Sequence, residues 1–283
     1  MMKRILYIMC AVLTAALASC NYEETEDDDS ATRLVTIEAI ADWEMADGSV
    51  DSRTMNQTSV TPQTRIAPLA DRYRIEVYEQ ADYTVAAPVF ADGTSKATNA
   101  TGSFNMALEN GKSYYCLLWA DNKLNGAAVY NTGDLKNVSL MGGSTPSEAF
   151  HGTLTIDGKS TSYRVSLHRA VANIVLKETG TLPVGTLTMK FNQPTAFDVS
   201  EATSKGIATE RTETLTLAEE INGTNDSPAT INRMQRVFIL APVVSAAEMT
   251  FTFQYGSEEE IEVSEVAVQA NYRTNIKGHY TKN

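Results

Sequence analysis

Residues 104–120, FNMALENGKSYYCLLWA, decide the fold of this chain. At the start of the stretch an apolar side chain recurs at every second position, which is the period of a strand with one buried face. Asn110-Gly111 comes next, a dipeptide typical of tight hairpin turns. Tyr114–Trp119 is then a continuous apolar run, as expected of a buried strand. The stretch therefore predicts two β-strands joined by a hairpin turn, and the alternating apolar residues of the first strand are Phe104, Met106 and Leu108.

The rest of the chain repeats this pattern of short strands and polar turns. No segment sustains a period of 3.6 residues over several turns, so helices are not expected. Repeated short strands of this kind favour an all-β fold of antiparallel β-sandwiches. Further strands and turns are expected at Leu34–Ile40, Arg72–Tyr78, a hairpin turn at Asp157-Gly158, Met249–Phe253 pairing with Ile261–Val263 across Gly256-Ser257, and Asn271–His279.

The length of the strand-rich part predicts two domains. One β-sandwich takes about 100 residues, whereas the strand pattern extends over residues 33–283. We expect a signal peptide at residues 1–19, a tether at 20–32, an N-terminal sandwich at 33–165 and a C-terminal sandwich at 166–283. No proline-rich linker marks the boundary, so a large and stiff contact between the sandwiches is expected.

Charge and motifs exclude several classes of function. The chain has 23 Lys and Arg against 35 Asp and Glu, a net charge of −12, which argues against binding nucleic acid. The three histidines, His151, His168 and His279, have no partner at metal-ligand spacing, so structural or surface roles are expected for them. No nucleophile or nucleotide motif is present. We therefore expect no enzyme, no metal and no cofactor. A sandwich-fold hydrolase is a third alternative, because sequence does not reveal carboxylates paired by the fold.

The N-terminus has the order of a bacterial lipoprotein signal. Lys3-Arg4 is positively charged, Ile5–Leu17 is an apolar run of signal-peptide length, and Leu17-Ala18-Ser19-Cys20 follows. This string resembles the lipobox, in which small residues precede a cysteine that receives a diacylglycerol. The sequence predicts lipidation of Cys20 and attachment to the outer membrane. The alternative is an ordinary secretory signal cleaved after Ala18 or Ser19.

An acidic run follows the lipobox directly. Repulsion among like charges keeps such a stretch extended and solvated, which predicts a flexible tether. The run also resembles the surface-export signal of lipoproteins in Bacteroidota, and exposure at the cell surface is the sharper prediction. The acidic residues are Glu23, Glu24, Glu26, Asp27, Asp28 and Asp29.

Only Cys116 remains in the folded part once the signal is removed and Cys20 is lipidated. It lies within the apolar run Tyr114–Trp119. A lone cysteine in such a strand is expected to be a small, buried and inert core residue.

Several stretches in order resemble the fimbrillin-like proteins of Bacteroidales and their FimB-type fimbrial anchors. They are the lipobox, the acidic tether, a first strand at 33–43, a loop with two arginines, and the segments GKSYYCLLWAD at 111–121, LHRAVANI at 167–174 and NYRTNIKG at 271–278. The resemblance spans the mature chain. It implies two transthyretin-like β-sandwich domains and a structural or adhesive role in a pilus.

The resemblance also implies assembly by strand exchange. A protease cuts after an arginine in the loop behind the first strand, and a strand from another fimbrial subunit replaces the lost one. Arg53 matches the cut best and Arg65 second, although Arg53 could equally be an exposed loop residue. Only Tyr280–Asn283 follow the last predicted strand, too few to donate a strand. This predicts an anchor or another terminal or accessory unit, with a host or bacterial surface receptor as a further partner.

A second class of function fits the same features. Surface glycan-binding lipoproteins of polysaccharide-uptake systems also combine a lipobox, an acidic tether and β-sandwiches. Such a protein would need a platform of exposed aromatic side chains. The twelve tyrosines and two tryptophans leave this alternative open.

Overall fold

The computed structural model describes residues 32–41, 70–123, 126–206, 208–231 and 236–281. Within these ranges the chain forms β-strands and a single turn of 3₁₀ helix at Leu135–Asn137, so the all-β prediction is confirmed. None of the described segments is a helix long and apolar enough to span a membrane. The strands β1 to β21 are, in order, Thr32–Ala41, Arg72–Tyr78, Lys96–Asn99, Ser103–Glu109, Tyr114–Asp121, Tyr130–Asn131, Val138–Leu140, Ala149–Ile156, Ser162–Arg169, Val171–Glu178, Thr181–Leu182, Gly185–Gln193, Ala196–Asp198, Thr203–Lys205, Thr209–Leu217, Ile221–Asn222, Ala229–Thr230, Val237–Leu240, Ala247–Tyr255, Ile261–Val268 and Arg273–Gly278.

The N-terminal sandwich consists of β1 to β5, β8 and β9, in the spatial order β3-β2-β5-β8-β9-β1-β4. β8 and β9 pair only at residues 150–151 and 168–169, where the sheet passes from one layer to the other. Both layers contribute alternate apolar side chains to one core, because a strand buries every second residue on a given face. This core includes Ile37, Ile75, Met106, Cys116 and Phe150, each at most 1% exposed.

The C-terminal sandwich has a second core between two four-stranded sheets. One sheet contains β10, β17, β18 and β21, and the other has the order β15-β12-β19-β20. Ile174 and Ile239 from the first sheet meet Met189, Phe251 and Phe253 from the second, and all five are fully buried. The predicted hairpin across Gly256-Ser257 is confirmed, since residues 261–263 pair antiparallel with residues 251–253.

A third core, the junction core, joins the two sandwiches. Trp119 and Leu117 of the N-terminal sandwich meet Phe238 of the C-terminal one there. A small sheet, β14-β13-β7-β6, combines segments from both halves of the sequence and supplies Tyr130 and Phe197 to the same core. The lack of a proline-rich linker in the sequence had predicted a contact of this kind between the two sandwiches. The exact division of the chain into domains stays a prediction.

The two faces of β5 explain its continuous apolar run. Cys116 and Leu118 point into the N-terminal core, whereas Leu117 and Trp119 point into the junction core. A strand covered on both faces has no solvent side and needs no polar alternation. β18 is also buried on both faces, since Ile239 faces the C-terminal core and Phe238 faces the junction core.

The hairpin predicted at Asn110-Gly111 is wrong. The turn exists and Gly111 has a φ of 74°, but β4 pairs with β1 and β5 pairs with β2 and β8. The connection therefore crosses from one layer of the sandwich to the other. The physical reason is that the apolar faces of β4 and β5 meet the same core from opposite sides, which side-by-side pairing does not allow.

The hairpin predicted at Asp157-Gly158 is confirmed as a turn but only in part as a pair. The Asp157 carboxylate accepts the N–H groups of Lys159 at 3.1 Å and Ser160 at 3.4 Å. Gly158 has a φ of 80°, a conformation that favours glycine. Next to the turn β8 and β9 are not paired, because β8 pairs along its length with β5 while β9 pairs with β1. The two strands pair with each other only at residues 150–151 and 168–169, at the ends distant from the turn.

Among the described strands, each sandwich contains one parallel pair in an otherwise antiparallel arrangement. Residues 36–41 of β1 run parallel to residues 162–167 of β9. Residues 173–178 of β10 run parallel to residues 273–278 of β21. Parallel pairs join segments that are distant in the sequence, and the alternation pattern alone did not indicate them.

Candidate functional site at the first strand

The first strand, β1, completes the N-terminal core. Val35 and Ile37 are fully buried and Ala39 is 3% exposed, whereas Leu34 on the opposite face is 68% exposed. The β-branched Val35 and Ile37 favour extended backbone, and the two-residue period directs them and Ala39 into the core. Burial of side chains of this size contributes roughly 1.5–3 kcal/mol each for valine and isoleucine.

β1 lies between two other strands. Its residues 32–38 pair antiparallel with residues 103–109 of β4, and its residues 36–41 pair parallel with β9. The Thr36 N–H donates to the carbonyl of Thr161 at 2.9 Å, and the Ala39 N–H donates to the carbonyl of Gly102 at 2.8 Å. Among the described strands β4 has no other partner. Loss of β1 would therefore open an apolar groove with a free strand edge on each side.

A glycine turn fits closely against the end of β1. Gly102 has a φ of 76°, and a Cβ there would lie 2.4 Å from the carbonyl oxygen of Ala39. The Asn99 side chain holds the turn by accepting the Thr101 N–H at 3.1 Å and the Gly102 N–H at 2.8 Å. Tyr73 packs against the same turn. Burial raises the pKa of its hydroxyl above the ordinary value, and a hydrogen bond with the Ala41 backbone offsets part of that rise.

The solvent face of β1 is polar and contributes little stability. The Thr36 hydroxyl donates to the side-chain oxygen of Asn105 at 2.8 Å. The Glu38 carboxylate lies 3.8 Å from the Arg164 guanidinium, and both side chains are more than half exposed. Exposed ion pairs of this kind contribute about 0–1 kcal/mol. The attachment of β1 therefore depends on its ladders and its buried face.

The last strand, β21, is held in its own sandwich by a buried carboxylate. Glu178, at the end of β10, is fully buried. One of its oxygens lies 2.7 Å from His279 Nδ1 and accepts the Gly180 N–H at 2.6 Å, while the other accepts the Tyr280 N–H at 3.3 Å. The Tyr280 ring packs edge-on against Phe253 with centroids 4.9 Å apart. We name this arrangement the C-terminal latch.

The latch also has a hydroxyl group. Thr281 Oγ1 lies 2.8 Å from His279 Nε2, which gives a carboxylate–imidazole–hydroxyl series. Thr281 is only 7% exposed, so its oxygen is not presented to a substrate. Gly180 is required beside the imidazole, because a Cβ would lie 2.6 Å from His279 Nδ1. The series fits a structural role, which is what the sequence predicted for His279.

Cys116 is buried as predicted. Its side chain is fully buried in the N-terminal core. Burial raises the pKa of the Cys116 thiol far above its ordinary value, so the reactive thiolate is scarce at neutral pH.

The other predicted site residues lie outside the described residues. They are the lipidation residue Cys20, the acidic residues Glu23, Glu24, Glu26, Asp27, Asp28 and Asp29, and the two candidate cleavage residues Arg53 and Arg65. Their assignments stay predictions. In the sequence both arginines lie between β1 and β2, so a cut after either would separate β1 from the rest of the fold.

The described residues were also searched for a ligand site. They contain no group of three His, Cys, Asp or Glu side chains that could hold a metal ion. A cavity of about 330 Å³ lies between β12, β14, β18 and β19, with Leu240, Met249 and Val268 among its apolar lining residues and Glu248 as the charged one. Its lining includes no aromatic side chain, so it lacks the platform expected of a glycan-binding site.

The fold and the first-strand site define an all-β protein of two joined sandwiches, each with one long-range parallel strand pair. A family model matches residues 35–280, and the chain belongs to that family, a family of unknown function (DUF6562). The match includes both sandwiches and most of β1. Among curated proteins no match was found.

Solved structures with a similar arrangement come from Porphyromonas and Bacteroides species. The fimbrial anchor protein Mfa2 from Porphyromonas gingivalis is 12% identical, with a TM-score of 0.40 and 82% of each chain covered. A candidate cell adhesion protein from Bacteroides ovatus is 13% identical, with a TM-score of 0.43, covering 88% of this chain and 93% of that one. A candidate polysaccharide-binding protein from Bacteroides thetaiotaomicron is 9% identical, with a TM-score of 0.46, covering 82% and 80%. Similarity at this level does not identify a function.

Proposed function

We propose that the chain is a cell-surface lipoprotein and a structural fimbrial subunit, acting as an anchor or another terminal or accessory unit that supports adhesion. The observation that carries the proposal is the position of β1. The predicted lipid and acidic tether lead directly into a strand that lies between two others and buries Val35 and Ile37. A membrane attachment at Cys20 would thus be joined to the folded body through a fully integrated strand.

The C-terminal latch supports the terminal position. A subunit that donates its last strand must release it, whereas β21 pairs with β10 and Tyr280 is 3% exposed. Release would expose Tyr280 and cost the Glu178 carboxylate its contacts with His279 and the Tyr280 N–H, and a buried polar group that loses its partners is costly. The chain thus suits the receiving or fixed end of an assembly better than a repeating position.

Strand exchange at β1 remains part of the proposal for those molecules that are cut. Cleavage after Arg53 or Arg65 would detach β1 together with the lipid. The resulting groove between β4 and β9 has the form that β-augmentation requires, with backbone groups on both sides and an apolar floor. An uncut chain keeps its lipid and its own β1, as an anchor requires.

The test combines processing and assembly in cells. The mature protein is isolated from outer membranes of cells fed a palmitate analogue, its N-terminus is sequenced, and its position in purified pili is located with antibodies. We expect an acylated N-terminus at Cys20 and label confined to one end of the pili. A start at Thr54 with label along the whole length would contradict the anchor role.

Cysteine variants provide the matched control. Cys20→Ala should abolish acyl labelling, whereas Cys10→Ala, within the predicted signal, should leave it unchanged. Replacement of the six acidic residues by serine should keep the label but lower protease accessibility on intact cells. Unchanged protease accessibility would contradict a sorting role for the acidic run and leave it only the role of a tether.

A further inference from the structure

We propose that the chain is built to carry tension between its two ends, through its two parallel strand pairs acting in series as mechanical clamps. The inference rests on the proposed function for the origin of the tension, since an adhesive contact made by the C-terminal sandwich would pull that sandwich away from the lipid at the N-terminus. The arrangement itself follows from the strand registers.

The first clamp is the pair β1 and β9. Tension from the tether enters β1 at Thr32, next to the end of the pair formed by residues 36 and 162. It leaves through the opposite end of β9, because Arg169 continues directly into the C-terminal sandwich. The two points of force therefore lie at opposite ends of one parallel pair.

The second clamp repeats this geometry in the C-terminal sandwich. Tension enters β10 at Val171, two residues after the end of β9. It leaves through Gly278 at the end of β21, which runs parallel to β10 over residues 173–178 and 273–278. The tension again acts at opposite ends of the pair.

A parallel strand pair resists force best when the two strands are pulled from opposite ends of the pair. All hydrogen bonds of the ladder then share the tension along the strands and must fail together. When two strands are pulled from the same end, the bonds fail one after another. Each bond contributes only about 1 kcal/mol net, so simultaneous loading is what gives a short ladder high resistance. In both clamps buried side chains such as Ile37 and Ile174 add to that resistance.

The connection between the clamps is held by its surroundings. The Ala170 N–H donates to the carbonyl of Ala149 at 2.8 Å, and the Ala170 carbonyl accepts the Ala241 N–H at 3.2 Å. Arg169 is 4% exposed and lies 3.4 Å from the Glu148 carboxylate. The link thus passes tension from β9 to β10 while bonded to both sandwiches.

The C-terminal latch reinforces the point where tension leaves the second clamp. The Thr179 N–H donates to the carbonyl of Gly278 at 3.0 Å. Glu178 on β10 then bonds to His279 and to the Tyr280 N–H, directly after the end of β21. Tension at the C-terminus must remove Tyr280 from the core before it can peel the end of β21.

Single-molecule force spectroscopy tests the proposal with one protein and two directions of pulling. The chain from residue 20 onward, with Cys20→Ser, is held by an N-terminal handle and a C-terminal handle. In the control, the second handle is attached to Lys159→Cys, an exposed residue in the turn before β9. That attachment pulls β1 and β9 from the same end, whereas the terminal attachment pulls them from opposite ends.

We expect the terminal geometry to require about two- to threefold more force than the control geometry at the same loading rate, because the ladder bonds act together. The length released at the first rupture should correspond to at least one whole sandwich. Equal forces in the two geometries, or a lower force in the terminal one, would overturn the proposal. Equal urea midpoints for the Lys159→Cys and unsubstituted chains confirm that the variant is folded. The measurement needs no lipid and no pilus, so its outcome is independent of the fimbrial role.

Discussion

His151 is a buried polar residue without a hydrogen-bond partner among the described residues. It is 6% exposed, its ring packs 5.0 Å from that of Phe197 in the junction core, and neither ring nitrogen forms a hydrogen bond with the described part of the chain. Burying an unsatisfied polar group costs about 1–3 kcal/mol. We expect His151→Leu to raise the free energy of unfolding by about 1–2 kcal/mol, measured by urea titration. The same change at the exposed His168 should have a much smaller effect.

The titration of His151 should also make the free energy of unfolding depend on pH. Burial, with a smaller contribution from the charge of His168, lowers the pKa of His151 to about 4, against about 6.5 in an unfolded chain. The unfolded state therefore binds the proton first as the pH falls, and stability decreases between about pH 6.5 and 4, by up to roughly 3 kcal/mol. The difference in stability between the unsubstituted chain and His151→Leu should grow over this window. A difference that does not change with pH would contradict the prediction.

Cys116 should react with thiol reagents only after unfolding. Its thiol is fully buried and its pKa is raised by burial. In the chain from residue 20 onward with Cys20→Ser, where Cys116 is the one cysteine, we expect maleimide labelling to be slow without urea and complete above the unfolding midpoint. Rapid stoichiometric labelling of the native protein would show instead that the N-terminal core opens readily.

At the scale of the element, the two faces of β1 should differ sharply. Ile37 is fully buried in the N-terminal core, whereas Leu34 on the same strand is 68% exposed. We expect Ile37→Ala to lower the free energy of unfolding by about 2–5 kcal/mol and Leu34→Ala to change it by no more than about 0.5 kcal/mol. Chemical denaturation of both variants checks this, and similar values would indicate that β1 is only loosely attached.

Most strands were predictable from the sequence, but their partners were not. Alternation at Phe104, Met106 and Leu108 predicted β4, and Asn110-Gly111 predicted a turn, because both signals are local. Whether two strands pair or face each other across a core depends on residues far away in the chain, and the hairpin prediction failed there. The parallel pairing of β1 with β9 left no local signal for the same reason.

The candidate site was predictable to a similar extent. The lipobox-like string and the acidic run could be recognised because they are local patterns in the sequence, and their roles stay predictions since they lie outside the described residues. The C-terminal latch was not visible, since Glu178 and His279 are distant in sequence and ordinary residues in their local contexts. Gly180 carried a faint signal, as a glycine at a strand end, but only the fold gives the reason for it.

At the scale of the whole molecule, the junction core should make the two sandwiches unfold together. Trp119 is 1% exposed, contacts Tyr130 and Phe197, and donates its indole N–H to Asp121 at 2.7 Å. We expect Trp119→Ala to lower stability by about 3–5 kcal/mol and to separate one calorimetric transition into two.

Leu118 provides the control, because it lies on the same strand but faces the N-terminal core. Leu118→Ala should destabilise the protein by a comparable amount, about 2–5 kcal/mol, without separating the transitions. Two transitions already in the unsubstituted chain would show that the junction does not couple the sandwiches.

The pairing of β1 with β9 also determines when the N-terminal sandwich can fold. β1 is synthesised first, but residues 162–167, its parallel partner, come at the end of the same sandwich. Contacts between such distant segments form slowly, because a long loop must close before they do. The predicted signal peptide gives this delay a consequence. The segment that follows it cannot dock until the whole sandwich has been synthesised, so a chain exported by that signal would still be open enough to cross a membrane and would close only on the far side.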